Sequence, residues 1–418
     1  MRPTIVISSP VDTFSGYGAR SRDFIQAVID LDKYDVKLLS QRWGNTRFGY
    51  LSEHSREDLS SLIIPKLDSK PDIWVQITVP NEFQAVGNYN IGVTAGIEST
   101  LCDQSWIQGL NRMDLTLTSS EHSKTVFTKT KWELKDNRTG QVQNLQIQKP
   151  VEVLFEGVDT SKYFETKSDL DLSSIPESFC FLSVGHWLHG SYGNDRKNLG
   201  FTVRSFLDTF KNKQNPPALI MKTSHATTSL LDKTNLLKKI DSIKKTLKGK
   251  LPNIYVLHGD ITDQEINSLY NHPKVKAMVS HTRGEGFGRP LLEFSMTGKP
   301  IIASGWSGQI DFLNPKHTNL LPGTLTKLDP SSVVKAVLLP DSQWFKVDEP
   351  AAIKAYKMVF KHYKKYITPA KKLKHENKEK FSYSAMVESL KILMEKYVTD
   401  TKPQPKLSKL SLPKLKKV

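Results

Sequence analysis

Residues 280–300 read Ser280-His-Thr-Arg-Gly-Glu-Gly-Phe-Gly-Arg-Pro-Leu-Leu-Glu-Phe-Ser-Met-Thr-Gly-Lys-Pro300. An apolar run, Lys276–Ser280, leads in and reads as a strand. Gly284, Gly286 and Gly288 then let the backbone turn tightly and approach a ligand closely. Pro290 suits the first position of a helix, and Gly298 suits its end. The free N–H groups and positive dipole end of such a helix face the glycine turn, an arrangement that accepts a diphosphate. Glu293 sits about one turn into that helix, and its side chain leans back toward the N terminus. There it can reach a hydroxyl beside the phosphates, as acidic residues do for ribose in nucleotide folds. Glu285 lies on the loop itself, ahead of the helix.

Working outward, the rest of the chain alternates strands with helices. Thr4–Ser8 is followed by a loop with Gly16 and Gly18, then by a helix with Phe24, Ala27, Val28 and Leu31 on one face. Short apolar runs recur at Val36–Leu39, Ile73–Ile77, Ile91–Thr94, Leu115–Thr118 and Val151–Phe155. Lys129–Gln148 is polar and reads as a surface excursion. The polar segment Phe164–Ser178 reads as a linker, after which the rhythm restarts. Phe179–Val184, Ala218–Met221, Ile254–Leu257 and Pro300–Ala303 are further strands, and Leu199, Val203, Phe206, Leu207 and Phe210 form one helical face. Two β-α rhythms predict an α/β protein of two doubly wound, Rossmann-like domains facing a central cleft. Residues 1–170 and 171–380 are the two expected Rossmann-like domains. Phe381–Tyr397 is amphipathic, so 381–398 is expected to pack as a helix, and 399–418 to form a basic flexible tail.

Composition narrows the function class. The 418 residues are 38% hydrophobic and 24% charged, as in ordinary globular chains long enough for two cores. The net charge is +16, but residues 351–418 hold 18 Lys against 5 acids. A polyanion contact, with nucleic acid or with an anionic membrane, is therefore expected through the C-terminal region rather than the whole surface. No apolar run approaches the roughly 20 residues of a membrane helix. The N terminus enters a strand without a signal-peptide pattern, so a cytoplasmic, at most membrane-peripheral, location is expected. Cys102 and Cys180 have no CxxC spacing and are expected as buried thiols. There is no Gly-x4-Gly-Lys-Ser/Thr loop for ATP-type phosphoryl transfer and no HxH or HExxH spacing for a metal.

Glu285 and Glu293 form a Glu-x7-Glu pair. The whole string resembles the EGFGxPxLEAxAxGxP signature of retaining GT-B glycosyltransferases in the family called glycosyltransferase group 1, or family 4. The resemblance extends along the chain. Phe155-Glu-Gly-Val-Asp159 followed by Phe164 looks like that family's NGVD…F segment. Phe181-Leu-Ser-Val-Gly185 with Arg196-Lys197-Asn198 looks like its VGR…RKN segment, and Phe381-Ser382-Tyr383 resembles the FSW element before a last helix. In the family that helix crosses back onto the N-terminal domain.

The resemblance implies an acceptor-side role for the domain of residues 1–170, nucleotide-sugar binding by that of 171–380, and roles for individual residues. Glu285 would bond sugar hydroxyls of the donor and Glu293 the nucleotide ribose. The amides of Gly286, Phe287 and Gly288 would touch sugar and phosphate. Lys197 would neutralise the departing diphosphate, with Arg196 and the strand-end Lys222 beside it. The loop Ser15-Gly-Tyr-Gly18 would close on the donor through Gly16 and Gly18. Two departures stand out. His186 occupies the place where the family often has Arg, so Arg196, on the flexible-looking loop Ser191–Asn198, is expected to substitute. Glu98, in Thr94-Ala-Gly-Ile-Glu98, stands where relatives carry a His near the reacting carbon. The implied reaction is metal-free transfer, with retention, from a UDP-, GDP- or ADP-sugar; no other cofactor is implied. A carbohydrate, a lipid-linked sugar or a hydroxymethylated DNA base would be the acceptor, and a non-catalytic sugar-nucleotide binder is the remaining alternative.

Overall fold

The computed structural model describes residues 2–135, 140–188, 192–225 and 228–398. Its first half runs β1 (Thr4–Ser9), α1 (Gly16–Asp30), β2 (Asp35–Ser40), the single-turn helices α2 (Tyr50–Glu53) and α3 (Glu57–Ser60), and β3 (Ile73–Ile77). There follow β4 (Tyr89–Thr94), α4 (Gln104–Arg112), β5 (Leu115–Thr118), α5 (Glu121–Lys129), a hairpin of β6 (Lys131–Lys135) and β7 (Val142–Gln146), and β8 (Val151–Val153). The second half runs β9 (Cys180–Val184), α6 (Leu199–Phe210), β10 (Ala218–Lys222), α7 (Leu230–Lys245), β11 (Ile254–Leu257), α8 (Asp263–Asn271) and β12 (Val275–Ser280). Then come α9 (Arg289–Ser295), β13 (Ile301–Ser304), β14 (Asn319–Leu321) and a hairpin of β15 (Gly323–Lys327) and β16 (Gln343–Val347). The helices α10 (Glu349–Lys361), α11 (Tyr363–Lys380) and α12 (Tyr383–Tyr397) end the described chain.

The long strands make two parallel six-stranded sheets, ordered β2-β1-β3-β4-β5-β8 and β11-β10-β9-β12-β13-β14. Both are α/β sheets of the expected kind. Parallel strands covered by helices bury both faces, which is why β3 and β9 read as nearly unbroken apolar runs. In each sheet the strand order reverses beside the first strand, between β1 and β3 and between β9 and β12. Connections leave such neighbours toward opposite faces, so a crevice opens at their carboxyl ends. The loops after β1, β9 and β12 border these crevices. The polar stretch after α5 contains the β6–β7 hairpin, whose side chains are mostly exposed. Cys102 and Cys180 are free, buried thiols.

Two crossings join the halves, and they are bonded to each other. The amide of Val158 donates to Phe381 O at 2.8 Å, and the amide of Tyr383 donates to Val158 O at 2.8 Å. A Cβ on Gly157 would stand 2.7 Å from Ser382 O, so only glycine lets these strands of chain touch. The two family-like segments near 155–159 and 381–383 thus belong to one joint. Beyond it α12 packs on the first sheet. Met386, Leu390 and Met394 share a core with Ile5, Ile7, Phe24 and Leu154, and the C-terminal helix returns to the N-terminal domain as expected. The segment 164–178 is no free tether, since Leu172 and Ile175 are buried against the second sheet's core. The basic tail expected at 399–418 lies outside the described residues, as does Ser191.

Met386 is fully buried at this return. Met386→Ala should destabilise the fold by about 2–5 kcal/mol, the usual cost of emptying a core site. Chemical denaturation would show a lower midpoint, and an unchanged midpoint would mean that α12 contributes little to the core.

Candidate donor site between the two sheets

The loop after β12 meets the loop after β4 at backbone contact. A Cβ on Gly284 would lie 1.8 Å from Glu98 O, and one on Gly286 would lie 2.0 Å from Ala95 O. Those distances are impossible for any side chain, so the glycines are required by the junction of the two halves. Ser119 Oγ donates to Ala95 O at 2.6 Å and also lies 3.3 Å from Gly286 O. Gly286 and Gly288 lie in a turn, not in a strand, and Gly288 adopts φ 101° as the cap of α9. The helix itself begins at Arg289, with Pro290 in its first turn, and spans only seven residues.

Glu285 sits at this junction and is 6% exposed. Lys197 Nζ donates to its Oε1 at 2.6 Å, and Arg196 Nη1 lies 3.2 Å from its Oε2. Burial works against ionisation of Glu285, but Lys197 and then Arg196 outweigh it and hold the carboxyl below its usual range. Arg196 also reaches Gly284 O at 3.1 Å and lies 3.6 Å from Glu98 Oε1, across the junction. Its loop is anchored rather than loose: Arg196 O accepts from the Arg283 amide at 2.8 Å, and buried Asp195 accepts from the Leu199 amide at 2.9 Å. Four of the sequence-predicted residues, Glu98, Arg196, Lys197 and Glu285, thus form one cluster.

Glu293 lies elsewhere. It is 7% exposed and lines a cleft of about 810 Å³ between the halves, together with Gly16, Ile261, Tyr163 and Arg289. Arg289 Nε donates to Glu293 Oε1 at 2.9 Å. The same guanidinium reaches Asp23 of α1 at 2.5 Å and lies 3.8 Å from Glu156, so it ties three carboxylates from both halves. Burial is the main influence on Glu293 and raises its pKa to about 7, although Arg289 opposes the rise. Tyr17 links the cleft to the junction. It follows Gly16, stacks on Trp43 at 4.0 Å, and its hydroxyl lies 3.0 Å from Thr94 Oγ1 and accepts from the Ala95 amide at 3.2 Å.

The remaining expected residues divide. Gly16 faces open space at the cleft, whereas Gly18 packs against Thr13 and serves the turn. The ring of Phe287 is core, 5.0 Å from Phe312, which leaves only its backbone to face a ligand. Lys222 donates to Gly259 O at 2.6 Å, at the carboxyl end of β10. His186 is exposed, and its Nδ1 lies 2.7 Å from Ser224 Oγ. Sequence reading missed Arg289, Asp23 and Glu156. Arg289 was visible inside the signature string; Asp23 and Glu156 carry no local signal, because their partner is more than 130 residues away.

No family model matches this chain, and no curated protein matches it in sequence. Solved structures do match in shape. HepE from Anabaena, solved in complex with UDP and glucose, superposes with a TM-score of 0.60 at 13% identity, over 94% of this chain and 100% of that one. A glycosyltransferase from Rickettsia africae gives 0.62 at 13% identity, over 94% and 98%. Sucrose-phosphate synthase from Thermosynechococcus elongatus gives 0.60 at 10% identity, over 95% and 100%. The chain therefore has the two-domain GT-B fold of these glycosyltransferases.

The raised pKa of Glu293 has a signed consequence. Its folded value, about 7, exceeds the unfolded value of about 4.3, so the folded state holds the proton longer. Its contribution to stability is complete below about pH 4.3 and is lost as pH rises toward 7. Glu293→Gln should remove that slope. Between pH 5 and 7 the wild-type melting temperature should fall by about 2 °C or more relative to the variant, and parallel curves would refute the assignment.

Proposed function

We propose that the chain transfers a sugar, with retention and without a metal, from a nucleoside diphosphate sugar to an acceptor hydroxyl. The observation that carries this reading is the buried Glu285 carboxylate gripped by Lys197 and Arg196 where β9 and β12 diverge. Two fixed cations and a carboxylate at that point match the needs of sugar diphosphate cleavage. The nucleoside occupies the cleft, with Glu293 accepting from ribose hydroxyls and Gly16 allowing close approach from the first half. The diphosphate lies over Arg196 and Lys197. The sugar displaces the carboxylate's protein partners, so that Glu285 accepts from its hydroxyls instead. In the reacting complex the bond from the anomeric carbon to the leaving phosphate oxygen breaks, and its electron pair stays on the phosphate. The acceptor oxygen bonds the same carbon from the same face, and its proton passes to the leaving phosphate oxygen. Negative charge grows on the diphosphate in that step, so fixed cations stabilise the transition state more than the ground state. Glu98, held near Arg196 from the opposite half, orients that cation. HepE, which shares the fold, was solved with UDP-glucose, and UDP-sugars are the first donors to test.

A panel of UDP-, GDP- and ADP-sugars, assayed for release of the nucleoside diphosphate, decides the matter. One donor should turn over. Lys197→Ala and Glu285→Ala should each lower kcat by about 10²–10³-fold, the usual cost of removing one aligned charge partner. Unaltered turnover in Glu285→Ala would overturn the site. Donor binding without release from any sugar nucleotide would overturn the enzyme reading in favour of a binder.

A further inference from the structure

The helix α11 carries lysines in rows. Lys364, Lys371 and Lys378 recur every seven residues, and Lys365 and Lys372 form a second row beside them. Seven residues of helix advance about 10 Å, so the longer row spans about 20 Å on one face. All five side chains are exposed, while Ala370, Leu373 and Asn377 turn the opposite face inward. Among the described residues, none of the five lies within ion-pair distance of a carboxylate. Lys374, on the flank, is the one paired with Glu165 at 2.6 Å. The preceding helix adds exposed Lys354, Lys357 and Lys361. Cations held this close on a rigid helix repel one another, and a polyanion relieves the repulsion.

A second observation gives the rows a direction. Lys374 and Lys378 line a groove of about 660 Å³ with Tyr163, Phe164 and Met296. Tyr163, 5% exposed, also lines the interdomain cleft, so groove and cleft adjoin at that side chain. Phe164 is 45% exposed there.

We propose that the exposed face of α11 docks duplex nucleic acid along its phosphate backbone, and that the docked polymer serves as the acceptor. The chemistry of the face selects this partner. Thr368, His375 and Glu379 stand between and beside the lysines, and α11 itself exposes no large apolar side chain of the kind membrane-surface helices insert in a bilayer. Single-strand binding calls for exposed aromatic platforms. On α11, Tyr363 and Tyr366 are half-buried instead, with the Tyr363 ring 5.6 Å from Phe179, and Phe164 in the groove is a single exposed ring rather than a series of platforms. Evenly spaced cations without platforms suit a continuous phosphate backbone. Use of the polymer as acceptor rests on the donor reading above, whereas the docking does not.

The full chain, without any sugar donor, would be titrated into a dye-labelled 20-base-pair DNA duplex by fluorescence anisotropy at several salt concentrations. Affinity should fall steeply with salt. The triple variant Lys364→Glu, Lys371→Glu, Lys378→Glu should bind at least about tenfold more weakly and shallow the log–log salt slope by about 3. A control with the same charge change, Lys238→Glu, Lys245→Glu, Lys248→Glu around α7, should stay within about threefold of wild type. Circular dichroism melts would confirm that both variants are folded. Absence of duplex binding, equal losses in the two triples, or tighter binding to phosphatidylserine vesicles than to duplex would each overturn the proposal. None of these outcomes touches the donor assay, and a failed donor assay leaves the docking result standing.

Discussion

The contact of Gly284 and Gly286 with the carbonyls of Glu98 and Ala95 is the constraint on which the rest of this molecule depends. A carbonyl can come this close to another backbone only where the residue it faces has no Cβ. That approach sets the separation of the two halves at one point. It brings Glu98 to 3.6 Å from Arg196 and buries Glu285 beside Lys197. Any side chain at either glycine would widen the junction and separate the charges that meet there.

Each half contributes to two charge clusters, one at the junction and one in the cleft. In both, an arginine of the second half faces carboxylates of the first: Arg196 faces Glu98, and Arg289 faces Asp23 and Glu156. Each arginine also holds an acid of its own half, Glu285 or Glu293. A buried carboxylate without a partner is costly, so these pairings keep both acids compensated while no ligand is bound. In the donor complex proposed above, a sugar diphosphate would supply hydroxyls to the acids and negative charge to the cations in place of these pairings. Arg20 supports the arrangement from beneath. It is fully buried and donates to the carbonyls of Phe155 and Leu154, which pins α1 to the first crossing between the halves.

The joint between the crossings explains a pairing of motifs that looks accidental along the chain. Residues 155–159 and 381–383 lie more than 200 positions apart, yet they bond edge to edge and share a glycine contact. The chain leaves the first half and returns to it at the same place. The helix that precedes this return, α11, has one face on the second half's core and its lysines outward, beside the groove lined by Phe164 and Met296.

What the sequence determined by itself was local. Short, mainly apolar runs marked β3, β9 and β12, because a strand buried on both faces shows little polar alternation. Periodic apolar positions marked α1, α6 and α12. The glycine string with Pro290 marked the turn that opens α9, because a tight turn followed by a helix needs those residue types in that order. Tertiary structure alone decided which distant groups meet. It separated Glu285 from Glu293, although they are eight positions apart, by placing one at the junction and the other in the cleft. It sent Lys222 to the Gly259 carbonyl and the Phe287 ring into the core, and it brought Asp23 and Glu156 to Arg289. Periodicity reports which face of a single element is buried. The partner across an interface depends on strand order and on how closely two backbones can approach, and both are properties of the assembled chain.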